Sequence, residues 1–142
     1  MTQRIRRAIA RLAVCVLAAT TVLVVSAAPA RAFGGETFGC RVAPGTILTW
    51  TTPCRNNRPA SVYNAGFNVN DLSGTDYTFS WSYSGPVLYV VGGCTSTASG
   101  CGLAVANSDA IISVTVTYSQ GGQSATRTAR AIIRQYCGNV LC

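Results

Sequence analysis

The stretch Tyr77-Thr-Phe-Ser-Trp-Ser-Tyr-Ser-Gly85 alternates aromatic and small hydroxyl residues without interruption. Successive side chains of a β-strand point to opposite faces, so this period of two places the four rings on one face and the hydroxyls on the other. A glycine at position 74 and the pair Gly85-Pro86 mark the ends of the segment. The pattern predicts a half-buried strand with Trp81 in a core.

A second alternating pattern follows and ends in a glycine pair. Apolar residues at 112, 114, 116 and 118 alternate with Ser and Thr, Gly121-Gly122 comes next, and a Thr/Ala/Arg segment runs to Arg134. Glycines supply the positive φ that a tight hairpin turn needs, so a hairpin is expected from about 111 to 134. Four more strand-like segments bring the total to about seven, which is typical of an all-β sandwich: Thr46–Thr51, Val62–Val69, Val87–Val91 and Gly102–Ala106.

The segment Tyr77–Gly85 and the Val/Thr hairpin after it resemble bacterial immunoglobulin-like and PKD-like domains, over about residues 60–134. The resemblance implies an immunoglobulin-like antiparallel β-sandwich of about seven strands, in which a central-strand tryptophan packs under the facing sheet. Neither Val62–Val69 nor Ile111–Tyr118 contains cysteine, so the antibody-type bridge between these two strands is not expected.

Residues 1–32 have the pattern of a secretory signal peptide. Four arginines lie within the first eleven residues, Leu12–Val25 is apolar, and Ala30-Arg31-Ala32 is a small-x-small cleavage site. An apolar run of roughly 14 residues is shorter than the ~20 that a membrane-spanning helix needs. Residues 33–142 are therefore expected to be a single secreted domain without a membrane anchor. The arginine- and alanine-rich leader resembles those of exported actinobacterial proteins.

The cysteine count predicts a disulfide framework. The chain has seven cysteines, and loss of Cys15 with the leader leaves six: Cys40, Cys54, Cys94, Cys101, Cys137 and Cys142. An even number in a short exported chain is typical of disulfide-stabilised domains. Fifteen connectivities remain open; pairing of neighbours (40–54, 94–101, 137–142) is the most economical, with 94–101 joining the two arms of a hairpin. A metal or redox site is disfavoured, because the chain has no histidine and no C-x-x-C motif.

The charge and the catalytic residue types limit the function. The expected mature chain keeps six arginines and four carboxylates, and a net charge of +2 is too weak to predict nucleic-acid binding. Without histidine the usual general base for a serine or cysteine nucleophile is missing. The sequence therefore predicts a protein that is not an enzyme and uses no cofactor or metal. A glycosidase using two of the carboxylates stays open as an alternative: Glu36, Asp71, Asp76 and Asp109.

Three aspartates lie in turn-like segments, where this residue type caps turns. A Ca²⁺ site built from Asn68, Asn70 and Asp71 is a less favoured alternative, because it has too few acids for tight binding.

Two groups of residues suggest ways in which the domain binds a partner. Arg55 and Arg58 lie in the segment 53–59 beside Cys54, where a protease inhibitor presents an arginine, although an ordinary loop is favoured. Aromatic residues that offer rings for sugar stacking, but that are more often core residues, are Trp50, Tyr63, Tyr89 and Tyr136.

The expected function is that of a small secreted binding or structural domain that uses its end loops. Its ligand, whether a protein, a glycan or a small molecule, is not identified by the sequence. The alternatives are a protease inhibitor that presents the 53–59 loop and a small-molecule carrier resembling the exported enediyne apoproteins.

Overall fold

The computed structural model describes residues 33–45 and 49–142, and the predicted signal peptide at 1–32 lies outside the described residues. The described residues form ten β-elements and no helix, and so contain no helix that could cross a bilayer. The elements are β1 Thr37–Ala43, β2 Cys54–Arg55, β3 Val62–Asn70, β4 Thr78–Ser84, β5 Val87–Gly93, β6 Gly100–Ala106, β7 Ala110–Gln120, β8 Gln123–Ile133, β9 Tyr136–Cys137 and β10 Val140–Leu141.

Two four-stranded sheets pack face to face. One has the strand order β1-β3-β6-β5 and the other β2-β8-β7-β4, while β9 and β10 form a separate two-stranded hairpin. Neighbouring strands are antiparallel except for β2, which runs parallel to β8. The prediction of an all-β sandwich is thereby confirmed.

The core lies between the two sheets and follows the alternating patterns. Phe67 on β3 and Leu103 on β6 face Ile112 and Val114 on β7, and all four are essentially inaccessible to solvent. Full burial of such a side chain contributes about 1.5–3 kcal/mol. The long β7–β8 hairpin is confirmed, and its two-residue turn has positive φ at both Gly121 (57°) and Gly122 (80°).

The four aromatic residues of the opening motif are not equally buried. Tyr77, just before β4, and Phe79 are each 7% exposed, Trp81 is half-buried, and Tyr83 is 45% exposed. The alternation correctly predicts which side the rings take. It does not show that β4 is an edge strand. Towards the end of β4 the aromatic side chains are less buried by the opposite sheet.

The sequence analysis missed β1, although its apolar residues Phe38, Cys40 and Val42 alternate with Thr37, Gly39 and Arg41. β1 pairs with β3 over its whole length, from Thr37↔Asn70 to Ala43↔Asn64. The strand predicted at 46–51 falls partly on residues 46–48, outside the described residues. In its described part only Thr51 pairs, through a single bridge to Cys40.

The three disulfides are the neighbour pairs favoured from the sequence: Cys40–Cys54, Cys94–Cys101 and Cys137–Cys142. The second closes the β5–β6 hairpin and the third closes the β9–β10 hairpin. The first has a different role, since β1 and β2 belong to opposite sheets. An inter-sheet bridge is therefore present, on strands other than those that an antibody domain uses.

Glu36 is a buried carboxylate at one end of the sandwich, where it is only 5% exposed. It accepts hydrogen bonds from the Tyr77 hydroxyl (2.5 Å) and the Gly34 amide (2.8 Å). Burial by itself raises the pKa of Glu36. The hydrogen bonds and the positive charge of Arg127 outweigh burial, and the pKa lies below its ordinary value of 4.5.

This lowered pKa predicts a pH-dependent effect of Glu36→Gln. A carboxylate with a lowered folded-state pKa stabilises the protein fully above its unfolded-state pKa, and this contribution is lost as the pH falls through the folded-state pKa. We expect Glu36→Gln to lower the free energy of unfolding by about 1–2 kcal/mol at neutral pH. The deficit should shrink as the pH falls below about 4.

Urea unfolding of wild type and variant at neutral and acidic pH measures this effect, with Asp76→Asn as an exposed control. A deficit of the same size at both pH values would contradict the assignment of the effect to the Glu36 charge.

Candidate functional site

Three glycines lie side by side across the outer face of the β1-β3-β6-β5 sheet. Gly66 pairs with Gly102, and Gly102 pairs with Gly92. A Cβ added to Gly66 would have its nearest neighbour at 4.0 Å, one added to Gly102 at 3.5 Å, and one added to Gly92 would meet nothing within 4 Å. None of the three has a positive φ. Neither backbone conformation nor internal packing therefore requires glycine here.

Glycine within a strand weakens it, by roughly 0.5–1 kcal/mol relative to alanine. Such a residue marks either a local irregularity or a place where another molecule approaches the backbone closely. A register shift lies between Val90 and Gly92, where β5 meets Gly102 of β6, whereas Gly66 on β3 is paired regularly. At Gly66 neither an irregularity nor tight packing explains the glycine, and the backbone there is open to the approach of another molecule.

The glycine row forms the floor of an open cleft of about 530 Å³, here called the glycine cleft. Trp50 forms one wall, and the loop 95–99 between Cys94 and β6 forms the other. The residues that line the glycine cleft carry no charge: Trp50, Asn64, Gly66, Phe67, Asn68, Gly92, Gly93, Thr97, Ala98, Ser99, Gly100, Cys101 and Gly102.

Trp50 is held in place by contacts on β1. A Cβ at Gly39 would lie 2.9 Å from the Trp50 Cβ, so glycine is needed there for the tryptophan to approach the strand. The Arg41 guanidinium lies 3.8 Å from the centre of the indole ring, a cation–π contact. The next residue, Thr51, exchanges backbone hydrogen bonds with Cys40 at 2.8 and 3.2 Å. The Cys40–Cys54 bridge closes the segment that carries Trp50.

A second, smaller cleft of about 290 Å³ adjoins the glycine cleft. Trp50, Asn64 and Gly66 line both clefts, and Arg41 lines only the second. Trp50 therefore contributes to both clefts.

The opposite wall, loop 95–99, is fixed by three hydrogen bonds and a disulfide. The Phe79 amide donates to the Ser96 carbonyl (2.9 Å), and the Val69 amide donates to the Ser99 carbonyl (2.9 Å). The Trp81 indole N–H donates to the Ala98 carbonyl at 3.1 Å. Trp81 thus positions this wall as well as contributing to the core. The Cys94–Cys101 disulfide closes the loop. A loop tied at four points has little conformational entropy left to lose when a ligand binds.

The hydrogen-bonding groups of the glycine cleft include two asparagines on β3. The Asn64 side chain is exposed, and its amide has no hydrogen-bond partner among the residues that the structure describes. Asn68 uses its Nδ2 to donate to the Asn70 Oδ1 (2.7 Å) and the Val69 carbonyl (3.1 Å). Its Oδ1 lies 3.0 Å from where a Cβ at Gly100 would be, which places that oxygen over the sheet surface.

Tyr89 extends the same face towards the sheet edge. It pairs with Ala104, which pairs with Asn64, so the three residues lie in the row next to the glycines. Tyr89 is 59% exposed although it belongs to a strand.

The outer face of the other sheet differs in that its hydroxyls bond to one another. Pairs of Oγ atoms 2.8 Å apart join Thr115 to Thr128, Thr117 to Thr126, and Thr78 to Ser119. Such cross-strand pairs are an ordinary means of sheet stabilisation. The hydroxyl groups of these pairs are therefore used for hydrogen bonds within the sheet.

The arginines and aromatic residues predicted to bind a partner, apart from Trp50, are not among those that line the glycine cleft. Arg55 is exposed on β2, and its neighbour Asn56 is buried, where it donates to and accepts from the Arg134 backbone at 2.8 Å. Arg58 is exposed, and its carbonyl accepts from the Tyr63 hydroxyl. Of the four predicted stacking aromatics, Tyr63 is fully buried and Tyr136 is half-buried against the core, which leaves only Trp50 and Tyr89 on the cleft face.

Two of the aspartates accept hydrogen bonds from residues distant in the chain rather than from their own turns. Asp71 accepts from the Thr37 hydroxyl (2.9 Å), and Asp109 accepts from the Gln135 amide (3.0 Å). Asn68 and Asn70 direct amide hydrogens at each other's oxygens. Within residues 33–45 and 49–142, no three His, Cys, Asp or Glu side chains come together in a group that could hold a metal ion.

No family model, no curated protein and no solved structure matches this chain. The glycine cleft therefore has to be interpreted from its own residues. Sequence reasoning missed it because the strand predicted at Val87–Val91 stops short of Gly92, and strand register cannot be read from the sequence. The available signal was glycine inside strand-like segments, at Gly66 and Gly102.

Proposed function

We propose that this chain is a secreted, non-enzymatic binding domain of the immunoglobulin-like type, and that it holds its ligand in the glycine cleft. The observation that carries the proposal is the row of Gly66, Gly102 and Gly92 in register on adjacent strands. At Gly66 the fold gives no reason for glycine, and both walls of the cleft are fixed beforehand by disulfides.

The strand order supports the immunoglobulin-like assignment. β1-β3-β6-β5 corresponds to the A-B-E-D sheet of that architecture, and β8-β7-β4 corresponds to G-F-C. The leader and the three disulfides support secretion, because disulfides persist in oxidising compartments.

The sheet face supports binding better than the loop 53–59 does. A protease inhibitor presents its anchor residue on a loop whose backbone is free to pair with the protease. Arg55 lies instead on β2, already paired with β8, and Asn56 is bonded to Arg134. The carrier alternative is supported less, because apart from Trp50 and the buried Phe67 the glycine cleft is lined by glycines and small or polar residues.

Gly66→Val tests the proposal without removing any existing contact. A β-branched side chain suits a strand, and the nearest atom to the added Cβ is 4.0 Å away. We expect the free energy of unfolding to stay the same or to rise by about 0.5–1 kcal/mol. The valine should at the same time fill the cleft floor and abolish binding.

Binding is measured with labelled mature protein against fractionated bacterial cell wall and culture supernatant. Ser80→Val is the matched control, since it places the same side chain on the outer face of the opposite sheet. If Gly66→Val binds as wild type does while Arg55→Ala fails to bind, the 53–59 loop is the functional surface and the proposal is wrong.

A further inference from the structure

We infer that the ligand of the glycine cleft is a neutral carbohydrate chain that stacks on Trp50 and hydrogen-bonds to Asn64. The inference rests on the proposed function and adds the chemical class of the ligand. It follows from the charge, the rings, the amides and the shape of the cleft.

The first argument is charge. None of the residues lining the glycine cleft is ionisable at neutral pH. The nearest cation, Arg41, lies over the Trp50 ring and lines the adjoining cleft. Arg41 is already engaged with the indole ring, and no carboxylate lines the cleft to pair with a cationic ligand. A neutral polar ligand needs neither charge.

The second argument is the combination of a ring and free amides. A sugar presents an apolar face of C–H groups and a rim of hydroxyls. An indole ring complements the apolar face. An amide side chain, which offers both a donor and an acceptor, complements neighbouring hydroxyls. Trp50 and Asn64 line the cleft together, and the Asn64 amide has no partner within the described chain.

The third argument is the floor. A sugar chain that lies along a sheet needs room, and side chains on a sheet normally stand perpendicular to it. The glycine row removes these side chains on three adjacent strands, so a sugar chain that stacks on Trp50 is not blocked by side chains of the row.

The fourth argument is length. Trp50 lies over β1 and Tyr89 lies on β5, the two outermost strands of the four-stranded sheet. Three inter-strand spacings amount to about 14 Å, so the face between the two rings is longer than one sugar unit. An extended chain of several units fits this face better than a monosaccharide does.

The test uses defined neutral oligosaccharides: cellohexaose, chitohexaose, laminarihexaose and a linear mannohexaose. Binding is followed by calorimetry and by tryptophan fluorescence. At least one oligomer should bind, and its affinity should change less than about twofold between 0.05 and 0.5 M NaCl, because no charge pair is involved. Trp50→Ala should weaken binding at least about tenfold and abolish the fluorescence change, whereas Trp50→Phe should restore part of the affinity.

Two further variants separate binding from folding. Gly92→Val blocks the cleft at a position where an added Cβ meets nothing within 4 Å, so it should lose binding with an unchanged melting temperature. Tyr83→Ala removes an exposed tyrosine of the other sheet and should bind as wild type does.

The outcomes distinguish this inference from the proposed function. If no oligosaccharide binds at millimolar concentration, or if binding falls steeply with salt, the ligand is not a neutral carbohydrate and the inference is overturned. The proposed function survives that result if Gly66→Val still abolishes binding to a wall or supernatant component. If an oligosaccharide binds equally to wild type, Gly66→Val and Gly92→Val, the glycine cleft is not the site and both proposals fail.

Discussion

The double variant Cys40→Ala/Cys54→Ala is expected to lose about 3–5 kcal/mol of unfolding free energy, more than any other disulfide variant of this chain. On the chain-entropy model a loop of this length contributes about 3 kcal/mol by restricting the unfolded chain. Both sulfurs are also buried in the core, Cys40 at 0% and Cys54 at 4% exposure, so their removal leaves unfilled volume between the sheets. The total free energy of unfolding of a domain of this size is about 5–15 kcal/mol.

Urea unfolding of the oxidised protein measures this loss, and Cys137→Ala/Cys142→Ala is the control. That bridge closes a loop of five residues at the exposed C-terminal end, so its removal should cost no more than about 2 kcal/mol. Equal losses in the two double variants would contradict the inter-sheet role of Cys40–Cys54. Cys40→Ala/Cys54→Ala should also make Trp50 more mobile, because Trp50 lies in the segment that this bridge closes.

Tyr63→Ala is expected to lower the free energy of unfolding by about 3–5 kcal/mol. Tyr63 lies on β3 between two strands of its sheet and has no solvent exposure. Its hydroxyl donates to the Arg58 carbonyl (3.1 Å) and accepts from the Ala60 amide (3.2 Å). Truncation therefore leaves a large cavity and two backbone groups without their partner.

Tyr63→Phe separates these two contributions, because it keeps the ring and removes only the hydroxyl. We expect it to lose about 1–2 kcal/mol in the same urea unfolding experiment. If Tyr63→Phe is as unstable as Tyr63→Ala, the hydrogen bonds to the segment before β3 dominate and the ring's packing contributes little.

Local patterns were sufficient for most of the strands. The alternation from Ile112 to Tyr118 and the glycine pair at 121–122 predicted the β7–β8 hairpin, because strand period and turn conformation are properties of neighbouring residues. β1 was missed although Phe38, Cys40 and Val42 alternate with Thr37, Gly39 and Arg41, the same period of two that marks the other strands. Gly39 and Arg41 contact Trp50, which packs against them from another part of the chain.

The candidate site was only partly predictable. Trp50 and Tyr89 were among the aromatics considered for sugar stacking, together with Tyr63, which proved to be buried. Periodicity assigns a residue to a face of a strand, but it does not say whether another sheet covers that face. For this reason the core and surface tyrosines could not be separated beforehand.

By itself the sequence determined the all-β class, the strand faces and the hairpin, and it favoured the neighbour pairing of six cysteines, because each depends on residues close together in the chain. The tertiary structure decided what those elements do together. Strand order and register place Gly66, Gly92 and Gly102 side by side, and they make the short Cys40–Cys54 loop a bridge between sheets. Register is a relation between distant segments, set by packing of the whole core, and no local pattern encodes it.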